Sequence, residues 1–103
     1  MKSRTVAPVS SELPVPLHVP AHIAWNDVDG ELVLFDTRDG SYHALNRTAS
    51  RVWRGIAWGM APEDVARDFA ACFEVDEPCA QAEVTRFVAE VLTLGLLASG
   101  AVR

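Results

Sequence analysis

The residues able to do chemistry are few and scattered. The cysteines are Cys72 and Cys79, and the histidines are His18, His22 and His43. A thiol beside an imidazole offers nucleophilic catalysis, and imidazoles meeting in space offer a metal site. Neither is signalled here. Cys72 and Cys79 have no companions at ligand spacing, and no local nucleophile signature surrounds Cys72. Asp27, Asp29 and Glu31 resemble part of a calcium loop, but the glycine is misplaced and the closing glutamate is absent. No glycine-rich phosphate loop occurs. The residues therefore read as a chain without catalytic activity, cofactor or metal.

Arg47, Arg51 and Arg54 recur at helical spacing and would suit a phosphate-facing stripe. The charge balance opposes that reading. Nine Lys plus Arg against fourteen Asp plus Glu give a net charge of −5, and the one lysine is Lys2. Backbone binding of nucleic acid needs clustered cations to release counterions. The stripe reads better as a solvated face complemented by nearby carboxylates, so no nucleic-acid partner is expected.

At 103 residues, half of them hydrophobic and 22% charged, the chain suits one globular domain. Two cysteines are too few for a disulfide scaffold. The N-terminus has no signal-peptide apolar run, and nothing approaches the ~20 apolar residues of a membrane span. A cytoplasmic protein with no membrane partner is the expectation.

The elements follow from pattern. Four of the six prolines fall between Pro8 and Pro20, so residues 1–19 read as a proline-rich arm. Ile23-Ala24-Trp25 is a short apolar segment, and Asn26 to Gly30 is turn-rich. Glu31 to Asp36 is a strand-length run of branched and aromatic residues. Asp39-Gly40 signals a hairpin, and Ser41 to Leu45 reads as the returning strand. Asn46 suits a helix cap, with Thr48 as the alternative. Ala49, Val52, Trp53 and Ile56 then share one helical face. Pro62 suits the first turn of a second helix, in which Val65, Phe69 and Phe73 recur every four residues. Asp76 can cap a third, whose stripe is Ala80, Val84, Phe87, Val88, Val91 and Leu92. Gly95 ends it in a left-handed conformation, Leu96-Leu97 tuck back against the core, and residues 98–103 form a fraying tail.

Three strands followed by three helices imply an α+β fold, a three-stranded antiparallel sheet with helices on one face. The strand Ser41–Leu45 then lies at an edge, and an unpaired edge is either protected or used. An extended peptide can add a strand there and gain main-chain hydrogen bonds, with pockets against the last helix giving selectivity. A homodimer sealing its own edge is the other occupant, and a small DNA-binding regulator is the weaker reading of the same topology.

Several of these stretches resemble the PqqD-like family. They are Asp29 to Asp36, then Gly40-Ser41-Tyr42-His43-Ala44-Leu45-Asn46, then Val52-Trp53. Pro62-Glu63-Asp64-Val65 and Val91-Leu92…Gly95-Leu96-Leu97 resemble its later segments, although Ala61 stands where the family carries a capping threonine. The likeness covers residues 20–97, the expected domain. It implies a winged helix-turn-helix-like fold and a role as a RiPP recognition element, which binds the leader segment of a ribosomally made precursor peptide. Main-chain pairing would then fall on Ser41, Tyr42, His43, Ala44 and Leu45. Pocket and rim contacts would come from Val84, Arg86, Phe87, Glu90, Val91 and Leu94. The implied partners are a precursor leader and a separate leader peptidase, as in lasso-peptide systems with a split B component. A peptide chaperone beside a radical-SAM enzyme in pyrroloquinoline quinone synthesis is the nearest alternative.

Overall fold

A computed structural model describes residues 16–100. Its elements run in the order β1 (Leu17–His18), β2 (Ile23–Val28), β3 (Glu31–Asp36), β4 (Ser41–Leu45), α1 (Arg47–Ala57), α2 (Pro62–Phe73), α3 (Glu77–Thr93) and β5 (Ala98–Ser99). The main sheet has the antiparallel order β2-β3-β4, which leaves β4 at an edge as expected. The architecture is the α+β arrangement of three strands followed by three helices.

The turns explain the register. Asp29 (φ 56°) and Gly30 (φ 86°) are both left-handed, the geometry of a two-residue hairpin loop whose twist matches that of its strands. Pairing therefore continues right up to Val28 opposite Glu31, and Asp27 Oδ1 accepts from the Gly30 N–H at 2.8 Å. The first strand was expected to stop at Trp25, with a turn from Asn26. A loop this short instead leaves Asn26 to Val28 in the ladder. The second hairpin sets Asp36 opposite Ser41 and Leu32 opposite Leu45. Asp39 Oδ1 accepts from the Ser41 N–H at 3.0 Å.

The helix starts are as the sequence suggests. Asn46 Oδ1 accepts from the Ala49 N–H at 2.9 Å, and the Thr48 hydroxyl supports that cap by donating to the same oxygen at 3.0 Å. Asp76 Oδ1 caps α3 through the Cys79 N–H at 2.9 Å. At α2 the N-cap Ala61 has no side chain able to accept, although Pro62 still starts the helix.

Alternation along β3 buries Leu32 and Leu34 against Val52, Trp53 and Ile56 of α1, Val65 of α2 and Val84, Phe87 and Val88 of α3. Leu96 and Leu97 return to this core. Ser50 is buried between sheet and helix, where its hydroxyl accepts from the Leu32 N–H at 2.9 Å and donates to the Leu45 carbonyl at 3.1 Å. It ties both strands of the second hairpin to α1.

The two ends of the described chain pair with each other. β1 and β5 form a two-stranded sheet, Leu17 opposite Ser99 and His18 opposite Ala98. The Gly100 N–H donates to the Pro16 carbonyl at 2.9 Å, and His18 Nδ1 lies 3.2 Å from the Gly100 carbonyl. Paired main chain replaces the expected loose tail at Ala98 and Ser99, and the last residues of the expected arm join it. The proline-rich stretch before residue 16 lies outside the described residues, as do residues 101–103.

Candidate functional site

A cleft of about 280 Å³ opens along β4, between that strand, the start of α1 and the outer face of α3. Its floor is apolar, made by Leu45, Val52, Phe69, Phe87, Val91 and Leu96, while Glu83, Arg86 and Glu90 form the rim. A more apolar hollow of about 400 Å³ lies between Leu17 and Met60-Ala61-Pro62. The cleft beside β4 is the better candidate, because there a full-length edge strand of the main sheet runs beside an apolar floor walled by a helix.

Most of the expected site residues converge on this cleft. His43, Ala44 and Leu45 line it from β4, and Arg86, Phe87, Glu90, Val91 and Leu94 line it from α3. Phe87 and Val91 are nearly buried and present only their outer faces, whereas Leu94 is 47% exposed at one end. Ser41 and Tyr42, expected to pair only through main chain, are on the edge strand but outside the cleft lining, whereas one expected pocket residue, Val84, differs. The Tyr42 ring packs on the opposite face of the sheet, 4.8 Å from Phe35. Val84 is fully buried in the core and lies behind the floor, outside the cleft lining. Helical spacing places Val84 near Phe87 and Val91, but a stripe wide enough to seal the core turns its inner members away from the cleft.

Asn46, Thr48, Ala49 and Phe69 also line the cleft, though pattern gave them only capping or core roles. The signal available was position. A helix that begins directly after an edge strand must present its first turn beside that strand's end.

The rim is partly self-neutralised. Arg86 Nη2 donates to Glu83 Oε1 at 2.6 Å, while its Nη1 stands 4.0 Å from Glu90 Oε1. Glu83 is thus satisfied within the protein and Glu90 is only loosely paired. Ser41 Oγ lies 3.2 Å from His43 Nε2. Two of the three α1 arginines are paired away from the cleft: Arg51 makes a bidentate pair with Asp68 of α2 at 2.7 and 3.0 Å, and Arg54 pairs with Asp27. The expected solvated face, complemented by carboxylates, is what those contacts describe. Among the described residues, no group of three or more His, Cys, Asp or Glu is placed to hold a metal, and no helix is long and apolar enough to cross a membrane.

An edge strand beside an apolar cleft can bind an extended peptide. The model of the family described as "Coenzyme PQQ synthesis protein D (PqqD)" matches residues 31–97. The chain belongs to the PqqD family. No curated protein matches it significantly. Two solved structures share its fold. One, TbiB1 in complex with the TbiA(beta) leader peptide, has a TM-score of 0.76 and 25% identity, covering 82% of this chain and 99% of that one. The other, lasso peptide synthetase B1 complexed with the leader peptide, has a TM-score of 0.75 and 27% identity, covering 80% and 96%. The region matched to the PqqD family takes in β3, β4 and all three helices, and β2 lies just before it.

Proposed function

We propose that this protein is a non-catalytic recognition element for the leader segment of a ribosomally synthesised precursor peptide. The leader adds as a strand to β4 and seats alternate side chains on the floor made by Phe87, Val91 and Leu45. The protein then presents the precursor to a separate enzyme, a leader peptidase of the lasso-peptide type. The observation that carries this reading is the unpaired β4 edge running beside an apolar cleft. It is supported by two similar structures, both of them complexes with leader peptides. A second reading, a peptide chaperone in pyrroloquinoline quinone synthesis, is favoured only by the family's description.

Main-chain bonds make strand addition tolerant of sequence, and the few pockets beside it give selectivity. A short added strand with two or three apolar anchors is a small interface. We expect a Kd between roughly micromolar and tens of nanomolar, about −8 to −10 kcal/mol. Fluorescence anisotropy of a labelled leader, taken from the precursor encoded beside this gene, measures it. Absence of saturable binding up to hundreds of micromolar would overturn the reading. A neighbouring peptidase and cyclase would favour the lasso type, and a radical-SAM enzyme the second reading.

A further inference from the structure

The cleft has two walls, β4 and α3, and something must fix their separation. At one end of the cleft the chain supplies a polar cluster that the leader-binding reading does not use. Asp36, the last residue of β3, is almost fully buried. Its Oδ1 accepts from the Arg38 main-chain N–H at 2.9 Å and from Arg38 Nε at 3.0 Å, and its Oδ2 accepts from Nη2 at 2.7 Å. This bidentate grip aims the guanidinium. The same Nη2 lies 3.5 Å from the carbonyl oxygens of both Leu94 and Gly95, at the end of α3.

That helix end lacks a cation of its own. α3 is 17 residues long and has no basic residue in its last turn. A helix C-terminus concentrates negative partial charge, which a nearby cation stabilises. Arg38 brings one from the β3–β4 turn. His22 joins from the turn just before β2, its Nε2 donating to the Gly95 carbonyl at 3.0 Å. Gly95 makes the approach feasible: its φ is +78°, and a Cβ there would sit 2.6 Å from Arg38 Nη2. The tie joins the turn that leads into β4 to the segment carrying Leu94 and Leu96, which line the cleft.

We propose that Arg38, held by buried Asp36, is a positioning residue that sets the separation of β4 and α3 and so the width of the peptide cleft. The inference rests on the leader-binding reading. Arg38 touches no ligand; it acts through the end of α3.

The test uses the full chain and the labelled leader of the neighbouring precursor. Arg38→Gln is expected to weaken binding about tenfold, the scale of coupling carried by such contacts. Arg38→Lys keeps the charge but loses the fork, so an intermediate affinity is expected. Arg51→Gln breaks the equivalent bidentate pair between α1 and α2 and is expected to leave the Kd within about twofold. Hydrogen exchange without peptide adds a second readout. In Arg38→Gln, but not Arg51→Gln, the amides of Leu94 to Leu97 should exchange faster. Wild-type affinity in Arg38→Gln, or unchanged exchange at those amides, would overturn the inference. Equal weakening by Arg51→Gln would do the same, because the loss would then be general destabilisation. A wild-type chain that fails to bind the leader would instead bring down the leader-binding reading, and this inference with it.

Discussion

β2 and β4 flank β3 as the outer strands of one sheet, yet their surroundings differ. Beside β4 lies an apolar floor walled by α3. Beside β2, Asp27 takes the Gly30 N–H and pairs with Arg54, placing ionic groups against the strand. Charge along an edge is a standard protection against further pairing. Unpaired main chain is therefore only half of a peptide site. The other half is a surface that rewards side chains, and one edge has it.

The sharpest way to break this comparison leaves the protein untouched. Single N-methylation along the leader removes one main-chain donor at a time. Amides facing β4 should each lose binding on the order of 30-fold when methylated, because a bond is lost and a buried carbonyl is left unpaired. Alternate positions should tolerate the change, giving a period of two. Anisotropy with the methylated series reads the pattern. A uniform response along the peptide would mean the leader does not add as a strand.

The sheet, the helices and most of the cleft were legible because each obeys a short-range rule. Asp39-Gly40 announced the second hairpin, Asn46 and Asp76 announced their helices, and the α3 stripe announced a buried face. Val84 marks where this stops. Its spacing matches that of Phe87 and Val91, but only the packing of β3 and α1 decides which stripe members are sealed. Asp36 and Ser50 show the same limit. Each reads as an ordinary polar residue at a strand end or on a helix, yet each is buried where distant segments meet: Arg38 carries the Asp36 pair to the end of α3, and the Ser50 hydroxyl bridges the main chain of Leu32 and Leu45. Likewise Ala98 and Ser99 become a strand only because Leu17 and His18, some eighty residues earlier, supply the partner.

A second test sets one exposed apolar side chain from each region against the other. Leu94 and Trp25 are comparably exposed, at 47% and 41%. Leu94→Ala should weaken leader binding about tenfold, the worth of one apolar anchor. Trp25→Ala, beside the β2 edge, should change it by less than about twofold. Equal losses in isothermal titration would mean the cleft is not the docking surface.

The Asp–Arg pairs behind the two edges separate on stability. The Arg38 guanidinium beside Asp36 holds its carboxyl down from 3.8 to about 2, against the opposing effect of desolvation. A depressed native pKa means stability that is fully present above about 3.8 and lost as pH falls toward about 2. Asp27 is also lowered, first by the Gly30 N–H and then by Arg54, but its side chain is half exposed. Solvent screening makes that pair the weaker contributor. Asp36→Asn should therefore lower Tm at neutral pH more than Asp27→Asn and flatten the acid limb of Tm against pH. Thermal unfolding followed by circular dichroism checks both, and identical acid limbs in the two variants would contradict the assignment.

The smallest expected effect lies on the cleft rim, where Glu83, Arg86 and Glu90 leave one carboxylate in excess. Glu83 is held by Arg86 at 2.6 Å, whereas Glu90 has that guanidinium only at 4.0 Å. Glu90 is thus the carboxylate free to meet a Lys or Arg of the leader. Its side chain is 62% exposed, so the contact is worth little in water and is screened by salt. Glu90→Gln should weaken a basic leader roughly two- to fivefold at low ionic strength, with the difference closing as salt is raised. Arg86→Gln should act in the opposite direction by releasing Glu83. If reversing the charge of both glutamates leaves affinity unchanged at low salt, the rim does not read charge, and discrimination among leaders falls to the shape of the floor and the strand register.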